Sequence, residues 1–259
     1  MQQLRLFFIA VQFFTRLPIP RWVGFEQEWL HHASRYFPLV GIVVGAIGAA
    51  VYAAAAFVFP APVAAVLSSI ATIYATGAFH EDGFADTCDG LGGGMTRERV
   101  LEIMKDSRVG AHGAIGIVCM LAAKCSALAM LPPASAIGAL LLAHPLSRLA
   151  ATSLIWRMEY ARAEVKAKPL AERMTTTEFG IACTTVALAA GLLLASGMLE
   201  LPAVLAALLA SGGGAWWLAR KFARRIGGYT GDCLGAVQQL AEALIYLAVL
   251  ATLGHGALA

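Results

Sequence analysis

Residues 61–90 read APVAAVLSSIATIYATGAFHEDGFADTCDG. The first part, Ala61–Phe79, is apolar and close in length to the ~20 residues that a helix needs to cross a bilayer. The second part, His80–Gly90, brings one histidine and four carboxylates directly after that run. A span followed at once by an ionisable cluster predicts a membrane protein with a polar site at the end of a span.

Three of the four carboxylates, Asp82, Asp86 and Asp89, are spaced four and then three residues apart. On a helix this spacing places them within an arc of roughly 60°, because each residue turns the helix by about 100°. Like charges on one stripe repel, so a cation or the positive groups of a substrate must neutralise them. Mg²⁺ is the expected cation, because it is usually held by one or two carboxylates together with substrate phosphates.

The composition of the whole chain agrees with a membrane protein. Of its 259 residues, 59% are hydrophobic and only 14% are charged, whereas soluble domains carry about 25% charged residues. The five cysteines are odd in number and none forms a CxxC pair. That pattern favours reduced thiols over a disulfide or zinc framework.

Seven apolar runs predict an all-α fold, a polytopic membrane helix bundle in which the connections on one side are short and contain no Lys or Arg. The predicted spans are Phe37–Phe59, Ala61–Phe79, Gly110–Leu131, Ala134–Trp156, Phe179–Ser196, Leu201–Leu218 and Leu234–Leu253. No polar linker divides the chain, so residues 1–259 are expected to form a single integral membrane domain.

The basic residues predict the orientation of the bundle. Of the nineteen Lys and Arg residues, only Lys124 and Arg148 lie inside predicted spans. If the spans alternate, all the others fall on one side, which the positive-inside rule makes cytoplasmic. The N-terminus is then cytoplasmic and Ala259 periplasmic. Residues 1–36 form an N-terminal interfacial segment in this scheme, and residues 80–109 a catalytic cytoplasmic loop.

Two further patterns concern packing inside the bundle. The first span carries Gly41, Gly45 and Gly48, which favour close contact between helices. Charged residues within spans are costly and are expected to face the bundle interior. The interpretation favoured for two of them is a structural ion pair between Lys124 and Glu242.

The acidic cluster has neighbours that could share its chemistry. Gly92 and Gly93 would let a ligand approach the backbone, or they are only a flexible connection. The segment Lys105–Arg108 could present Lys105 and Arg108 to a diphosphate and Asp106 to a metal ion, or it is a solvated helix end.

At two other positions the sequence also allows both a functional and a structural interpretation. The glycine-rich turn before the last span carries Thr230 and Asp232, which either cap that helix or form part of an anion site at its N-terminus. His80 is either a general base or a hydrogen-bonding residue, since its unperturbed pKa lies near neutrality.

The chain resembles the cobalamin synthase family, also called adenosylcobinamide-GDP ribazoletransferase. The resemblance lies in Gly77–Gly94 (GAFHEDGFADTCDGLGGG), followed by TRER at 96–99 and EIMKDSRVG at 102–110. Three other blocks agree with it: FFTRLP at 13–18, FPLVG at 37–41 and GYTGDCLGA at 228–236. Together these blocks extend over nearly the whole chain.

The resemblance implies a Mg²⁺-dependent enzyme of the bacterial cytoplasmic membrane that joins adenosylcobinamide-GDP to α-ribazole or its 5′-phosphate and releases GMP. It implies the lipid bilayer as a partner and no nucleic acid; a homo-oligomer or an association with other cobalamin-pathway enzymes is left open. Three roles are expected for the residues of this sequence. The catalytic residues are His80, Asp82, Lys105, Asp106 and Arg108. The substrate-binding residues are Arg16, Gly92, Gly93, Ser107 and Thr230. The metal ligands are Glu81, Asp82, Asp86, Asp89 and Asp232.

Two other functions fit parts of the pattern. A CDP-alcohol-type membrane phosphotransferase has a similar aspartate-rich motif and differs in its substrate. A cation transporter would use the acids as an ion site, and it predicts charged residues along a path through the membrane. Most of the acids gather at one face instead, which favours an active site that opens at the membrane surface.

Overall fold

In a computed structural model the chain is a bundle of α-helices, and the structure describes residues 1–161 and 171–253. The helices are α1 (Gln2–Phe14), α2 (Gln27–Ala33), α3 (Phe37–Ala56), α4 (Ala61–Thr76), α5 (Phe79–Gly93), α6 (Arg97–Ile103), α7 (Ala111–Met130), α8 (Pro133–Arg157), α9 (Thr176–Ala195), α10 (Leu201–Ile226) and α11 (Gly231–Thr252). Within the described ranges the only β-type pairing is one isolated bridge, between Tyr160 and Tyr229. The predicted all-α membrane bundle is confirmed.

Helices α8 and α11 form the centre of the bundle. They are the most buried of the long apolar helices and pack against each other. Helix α3 covers α8, while α10, α5 and α7 pack around α11. Both central helices are buried on most sides, as expected for helices surrounded by other helices.

The contact between α3 and α8 depends on glycine. A Cβ atom at Gly41 would lie 2.5 Å from the carbonyl oxygen of His144, and one at Gly45 would lie 2.9 Å from that of Leu140. At Gly48 the nearest atom is Cγ2 of Thr72 on α4, at 2.9 Å. The predicted role of these glycines in close helix packing is confirmed.

The number of spans differs in one respect from the predicted seven. Among the described residues six helices are long and apolar enough to cross a membrane. The predicted span Ala61–Phe79 is instead the shorter helix α4, which is followed after two residues by α5 at an angle of 92°. The count reaches seven only if this bent pair is taken as one span.

The bend has a local cause at Gly77 and Ala78. Both adopt left-handed backbone conformations, with φ of 65° and 58°. The amide of Ala78 donates to the carbonyl of Ile73 at 2.9 Å, which closes the end of α4. Glycine tolerates this conformation, but a residue with a Cβ is strained in it, and such strain is often found beside functional sites.

The segment predicted as a cytoplasmic loop, residues 80–109, is not a loop. Most of it folds into α5 and α6, because neighbouring helices bury one face of each. Helix α6 begins after Thr96, whose hydroxyl accepts a hydrogen bond from the amide of Arg99 at 3.3 Å, as expected for an N-cap. Helix α10 likewise continues to Ile226, past the predicted end of its span at Leu218.

The N-terminal segment, residues 1–36, packs against the bundle. Helix α1 buries Leu6, Ile9 and Phe14 in the same core as α3. Nδ1 of His32 lies 2.7 Å from Oε1 of Glu178, which joins the segment to the first turn of α9. Its predicted position at the membrane interface stays a prediction. Ala259 and the loop cations Arg162, Lys166 and Lys168 lie outside the described residues.

Replacing Gly41 with alanine should destabilise the protein by about 1–3 kcal/mol, because the new methyl group overlaps the backbone of α8. The matched control is Gly180→Ala on α9, where a Cβ meets nothing within 4 Å. There alanine should stabilise the helix by up to about 1 kcal/mol. Thermal unfolding in detergent measures both, and equal Tm values would contradict the proposed backbone contact.

Candidate active site

Helix α5 presents two carboxylates to its outer side. Asp82 is exposed and Asp86 is half-buried, while their neighbours His80 and Glu81 point into the protein and are buried. The division follows from helical geometry, since residues four apart share a face and consecutive residues do not. Asp82 and Asp86 therefore form the outer acidic face of α5.

The N-terminus of α11 lies directly against the first turns of α5. A Cβ atom at Gly83 would be 3.0 Å from both the Cα atom and the carbonyl oxygen of Asp232. A Cβ at Gly235 would be 2.9 Å from the carbonyl oxygen of His80. The sequence segments around Asp82 and Asp232 thus meet in the fold, although about 150 residues separate them.

Thr230 is the N-cap of α11, and its hydroxyl accepts a hydrogen bond from the amide of Cys233 at 3.4 Å. It also donates to Oδ2 of Asp232 at 3.3 Å. Because the Thr230 side chain is fully buried, capping accounts for its position. Asp232 follows in the first turn, where a carboxylate is favoured by the helix dipole.

Asp89 lies on the same face of α5 as Asp82 and Asp86, but helix α7 covers it there and Asp89 caps that helix. Its Oδ2 accepts a hydrogen bond from the amide of Gly110 at 2.7 Å, and its Oδ1 accepts one from the amide of Gly113 at 2.8 Å. The side chain is buried at this contact. Both oxygens therefore satisfy amides at a helix N-terminus, a structural role that the sequence analysis did not anticipate.

The basic segment 105–108 follows α6 and leads to the amides that Asp89 caps. Lys105 and Ser107 are exposed, and Arg108 binds Asp106 through Nη2 and Oδ2 at 2.6 Å. Hydrogen bonds from the side chain and backbone of Arg108 lower the pKa of Asp106 to about 2. Asp106 is thus ionised at neutral pH and already paired with the neighbouring cation.

The expected glycine positions lie at the end of α5 that faces this segment. Gly92 and Gly93 are exposed, and a Cβ at Gly92 would be 2.6 Å from the ring of His112. Arg16 lies at the other end, where its guanidinium packs against Gly77 in the bend before α5. Of the predicted substrate-binding residues, Arg16 therefore lies at the start of α5, and Gly92 and Gly93 lie at its end.

Arg225 is a residue that sequence reasoning assigned only to a basic loop. From α10 its guanidinium donates to the carbonyl of Gly94 and, at 3.5 Å, to that of Leu91. These carbonyls belong to the unsatisfied C-terminal end of α5. Arginine is often found near the C-terminus of its own helix, where it binds free carbonyls. That tendency does not predict that Arg225 would bind the carbonyls of a helix more than 130 residues away.

Two predicted site residues lie inside the protein instead of at the outer acidic face. Oε1 of Glu81 accepts a hydrogen bond from Nε2 of Gln239 at 2.9 Å. The ring of His80 stacks on Phe14 with centroids 5.2 Å apart. Helical geometry separates Glu81 by about 100° from Asp82. Asp82 and Glu81 therefore face different surroundings and do not form one ligand pair.

Glu81 joins a buried polar network at the centre of the bundle. Lys124 of α7 lies with its Nζ 2.6 Å from Oε1 of Glu242 on α11, so the predicted ion pair is confirmed. The same ammonium donates to Oε1 of Gln239 at 3.1 Å. Nε2 of Gln238 donates to Oε2 of Glu242 at 2.8 Å and to Oγ of Ser147 on α8 at 3.0 Å.

The charges predicted to face the interior are all part of this region. His144 and Arg148 are buried on α8, and Nη1 of Arg148 donates to the carbonyl of His144 at 3.0 Å. Nδ1 of His144 lies 3.6 Å from Oε2 of Glu242. The network therefore connects α5, α7, α8 and α11.

The carboxylate oxygens of the site decide whether it can bind Mg²⁺. Within residues 1–161 and 171–253, no group of three or more His, Cys, Asp or Glu side chains is placed to hold a metal ion. Mg²⁺ does not require such a group, since it commonly keeps water and uses one or two carboxylates with substrate phosphates. Asp82 and Asp86, with Asp232 on the adjoining helix, match that mode of binding; Glu81 and Asp89 are engaged elsewhere.

Comparison with known proteins settles the family. The sequence profile described as cobalamin-5-phosphate synthase matches residues 6–250. The chain belongs to this family. Proteins called adenosylcobinamide-GDP ribazoletransferase are similar to this chain over almost their full length. The one from Shewanella piezotolerans is 46% identical over 254 residues, 96% of both chains.

Two other relatives of the same name resemble this chain to the same degree. Those from Leptothrix cholodnii and Ralstonia nicotianae are 46% and 47% identical over 252 residues, 95% of each chain. No solved structure gives a significant match. The family resemblance inferred from the sequence blocks is confirmed.

Asp89→Asn should destabilise the protein by about 1–2 kcal/mol, because an amide offers the α7 amides one acceptor in place of two and loses the charge at the helix N-terminus. Asp82→Asn is the matched control and should leave Tm within about 1 °C, since exposed substitutions change stability little. Thermal unfolding of both variants tests this. A lower Tm for Asp82→Asn than for Asp89→Asn would contradict the capping role.

Lys124→Met should destabilise the protein by about 3–5 kcal/mol, because Glu242 is then left as a buried, unpaired charge. Glu242→Gln should have a similar effect. The double variant Lys124→Met/Glu242→Gln should lose less stability than the two single variants added together. Thermal unfolding of all four proteins measures the coupling, and strict additivity would show that the pair contributes no specific interaction.

Proposed function

We propose that this chain joins adenosylcobinamide-GDP to α-ribazole, or to α-ribazole 5′-phosphate, and releases GMP. The family and the names of the full-length relatives support this reaction. The observation that carries the assignment of the site is the outer acidic face of α5, which the N-terminus of α11 adjoins at one end and the basic segment 105–108 at the other. A phosphate-bearing substrate bound between them would contact both carboxylates and basic side chains.

The reaction is a displacement at phosphorus. A ribose hydroxyl of α-ribazole forms the new bond to the phosphorus that is attached to cobinamide and releases its proton to water. The bond from that phosphorus to the bridging oxygen breaks, and this oxygen leaves with GMP. Such reactions depend mainly on positioning and on neutralising phosphate charge. Lys105 and Arg108 are exposed beside α5 and can bind the phosphate oxygens, while Ser107 offers a hydroxyl.

Asp106 has a defined part in this arrangement. Its carboxylate holds the Arg108 side chain through Nε and Nη2. Because the pKa of Asp106 is lowered, this pairing persists throughout the neutral range. We assign Asp106 to positioning Arg108, which can turn toward a diphosphate when the substrate binds.

Asp82, Asp86 and Asp232 are the residues that would hold Mg²⁺. When bound, the ion would neutralise phosphate charge and favour departure of the GMP group. His80 lies beneath this surface in the interior, so its proposed contribution is to support the α5–α11 contact and not to remove a proton at the surface. Thr230 supports the same contact as the cap of α11.

The proposed location is the bacterial cytoplasmic membrane with the site open to the cytoplasm. The apolar helices make the chain a multi-pass membrane protein. If the predicted spans alternate across the membrane, the loop cations and the outer acidic face fall on the same side, which the positive-inside rule makes cytoplasmic. The nucleotide-bearing substrate would be met on that side.

The rival function, cation transport, is less well supported. It requires charged groups that a moving ion can bind in turn. The interior charges Lys124 and Glu242 are instead bound to each other and to neighbouring amides. Turnover by protein without a membrane gradient separates the two functions, and substrate choice separates this enzyme from a CDP-alcohol-type phosphotransferase.

Purified protein in detergent should release GMP from adenosylcobinamide-GDP when α-ribazole and Mg²⁺ are supplied, with no ion gradient present. Asp82→Asn should lower kcat by about 10²-fold or more while Tm is retained, because an amide is a poor ligand for a hard cation. Glu102→Gln, an exposed carboxylate of α6, is the control and should remain active. Full activity of Asp82→Asn at saturating Mg²⁺ would remove Asp82 from the site.

Lys105→Ala and Arg108→Ala should each raise KM for the GDP-bearing substrate or lower kcat by about tenfold or more, since each removes a charge-assisted hydrogen bond to phosphate. Arg220→Ala and Arg224→Ala on α10 should change these constants much less. Steady-state kinetics with folded variants gives the comparison. The opposite order would move the phosphate site to the end of α10.

A further inference from the structure

The last three turns of α10 have one face made only of tryptophan and basic residues. Its members are Trp216, Trp217, Arg220, Lys221, Arg224 and Arg225. They recur at intervals of four, so they form two adjacent rows along the helix. On the opposite side Leu218, Phe222 and Ile226 are buried in the core. This cationic face of α10 is therefore held outward by the packing of the helix.

The cationic face lines a groove of about 690 Å³. Cζ of Arg220 lies 4.9 Å from the ring centroid of Trp216, and Nζ of Lys221 lies 5.2 Å from that of Trp217. No carboxylate of the described residues lines the groove. Four cations in one groove repel one another, so an anion in the groove would be stabilised.

An apolar trough continues from this groove along α10 toward the middle of that helix. It has a volume of about 410 Å³ and lies between α8, α9 and α10, with Leu149, Phe179 and Leu208 among its lining residues. Trp216 lines both the trough and the groove. Arg157 also lines the trough, where its Cζ lies 3.8 Å from the ring centroid of Trp156, and it adds a further cation. The combined shape has a charged end and an apolar end.

We propose that the groove and the trough together bind an anionic phospholipid. The phosphodiester lies against Arg220 and Arg224, the tryptophan rings lie at the level of the headgroups, and an acyl chain occupies the trough. The positive-inside rule accounts for cations at this end of α10 but not for their position beside an apolar trough. A free phosphate would use the groove and leave the trough without function.

The lipid would be close to the candidate active site. Arg225 belongs to the cationic face, and its guanidinium binds the carbonyls of Leu91 and Gly94 at the end of α5. The lipid therefore would fix α10 beside the helix that carries Asp82 and Asp86. This inference does not depend on the proposed reaction, because it concerns binding alone.

The test uses the full-length protein in detergent and compares added phosphatidylglycerol with phosphatidylcholine. Phosphatidylglycerol should raise Tm by at least about 3 °C more than phosphatidylcholine does, because a ligand bound to the folded state stabilises it. It should also be retained in native mass spectra at about one molecule per chain. The variant Arg220→Gln/Arg224→Gln should lose both effects.

Two further variants make the outcome specific. Arg21→Gln/Arg173→Gln removes the same charge from exposed positions elsewhere and should keep the lipid effect. Leu208→Trp fills the trough without changing charge and should reduce lipid retention at least several-fold. If the two arginine pairs behave alike, if both lipids stabilise equally, or if Leu208→Trp retains lipid fully, the proposal is wrong.

A third arm separates the lipid from a free anion. Inorganic phosphate in excess should stabilise the protein less than phosphatidylglycerol does, since it cannot use the trough. Equal stabilisation by inorganic phosphate, lost in Arg220→Gln/Arg224→Gln, would make the groove a phosphate or nucleotide site and would overturn the lipid assignment.

Discussion

The carboxylate of Glu242 lies deep among apolar helices, and the arrangement of the bundle depends on how its charge is neutralised. Lys124 supplies the opposite charge from α7, and hydrogen bonds from Gln238 and Tyr246 occupy further acceptor positions. In a medium without water, an unpaired charge here would cost far more than the pair gains. The helices can therefore pack in few registers other than the one that brings these groups together.

The same network reaches the candidate active site through one hydrogen bond. Oε1 of Gln239 accepts a hydrogen bond from Lys124, and Nε2 of Gln239 donates one to Glu81 at the start of α5. Glu81 is next to Asp82, whose side chain points outward. Helix α5 thus has an inner side held by the bundle and an outer side available to ligands, and the bend at Gly77 and Ala78 makes this orientation possible.

The proposed chemistry suits a site of this construction. Reactions at phosphorus are accelerated by fixing charged groups around the phosphate, so rigid helices are better supports than loops. The acidic side chains are held on α5 and α11, which contact each other through the backbone at Gly83. The basic side chains lie in the shorter segment 105–108, where they can adjust to a diphosphate.

Signals in the sequence were sufficient to predict the all-α membrane bundle, most of the spans, the family, the close packing at Gly41 and the pairing of Lys124 with Glu242. Hydropathy, small residues and isolated charges within apolar runs are local signals, and the membrane leaves few ways to satisfy them. The resemblance placed Asp82 and Asp232 in one implied ligand set, and the fold brings their segments into contact at Gly83.

The engagement of two of the predicted ligands within the protein became visible in the folded structure alone. Asp89 has the spacing of a third ligand, yet its oxygens bind the amides of Gly110 and Gly113. Glu81 is next to Asp82 in sequence, yet it binds Gln239 in the interior. Helical periodicity states which residues share a face; what covers that face depends on helices folded against it from distant parts of the chain.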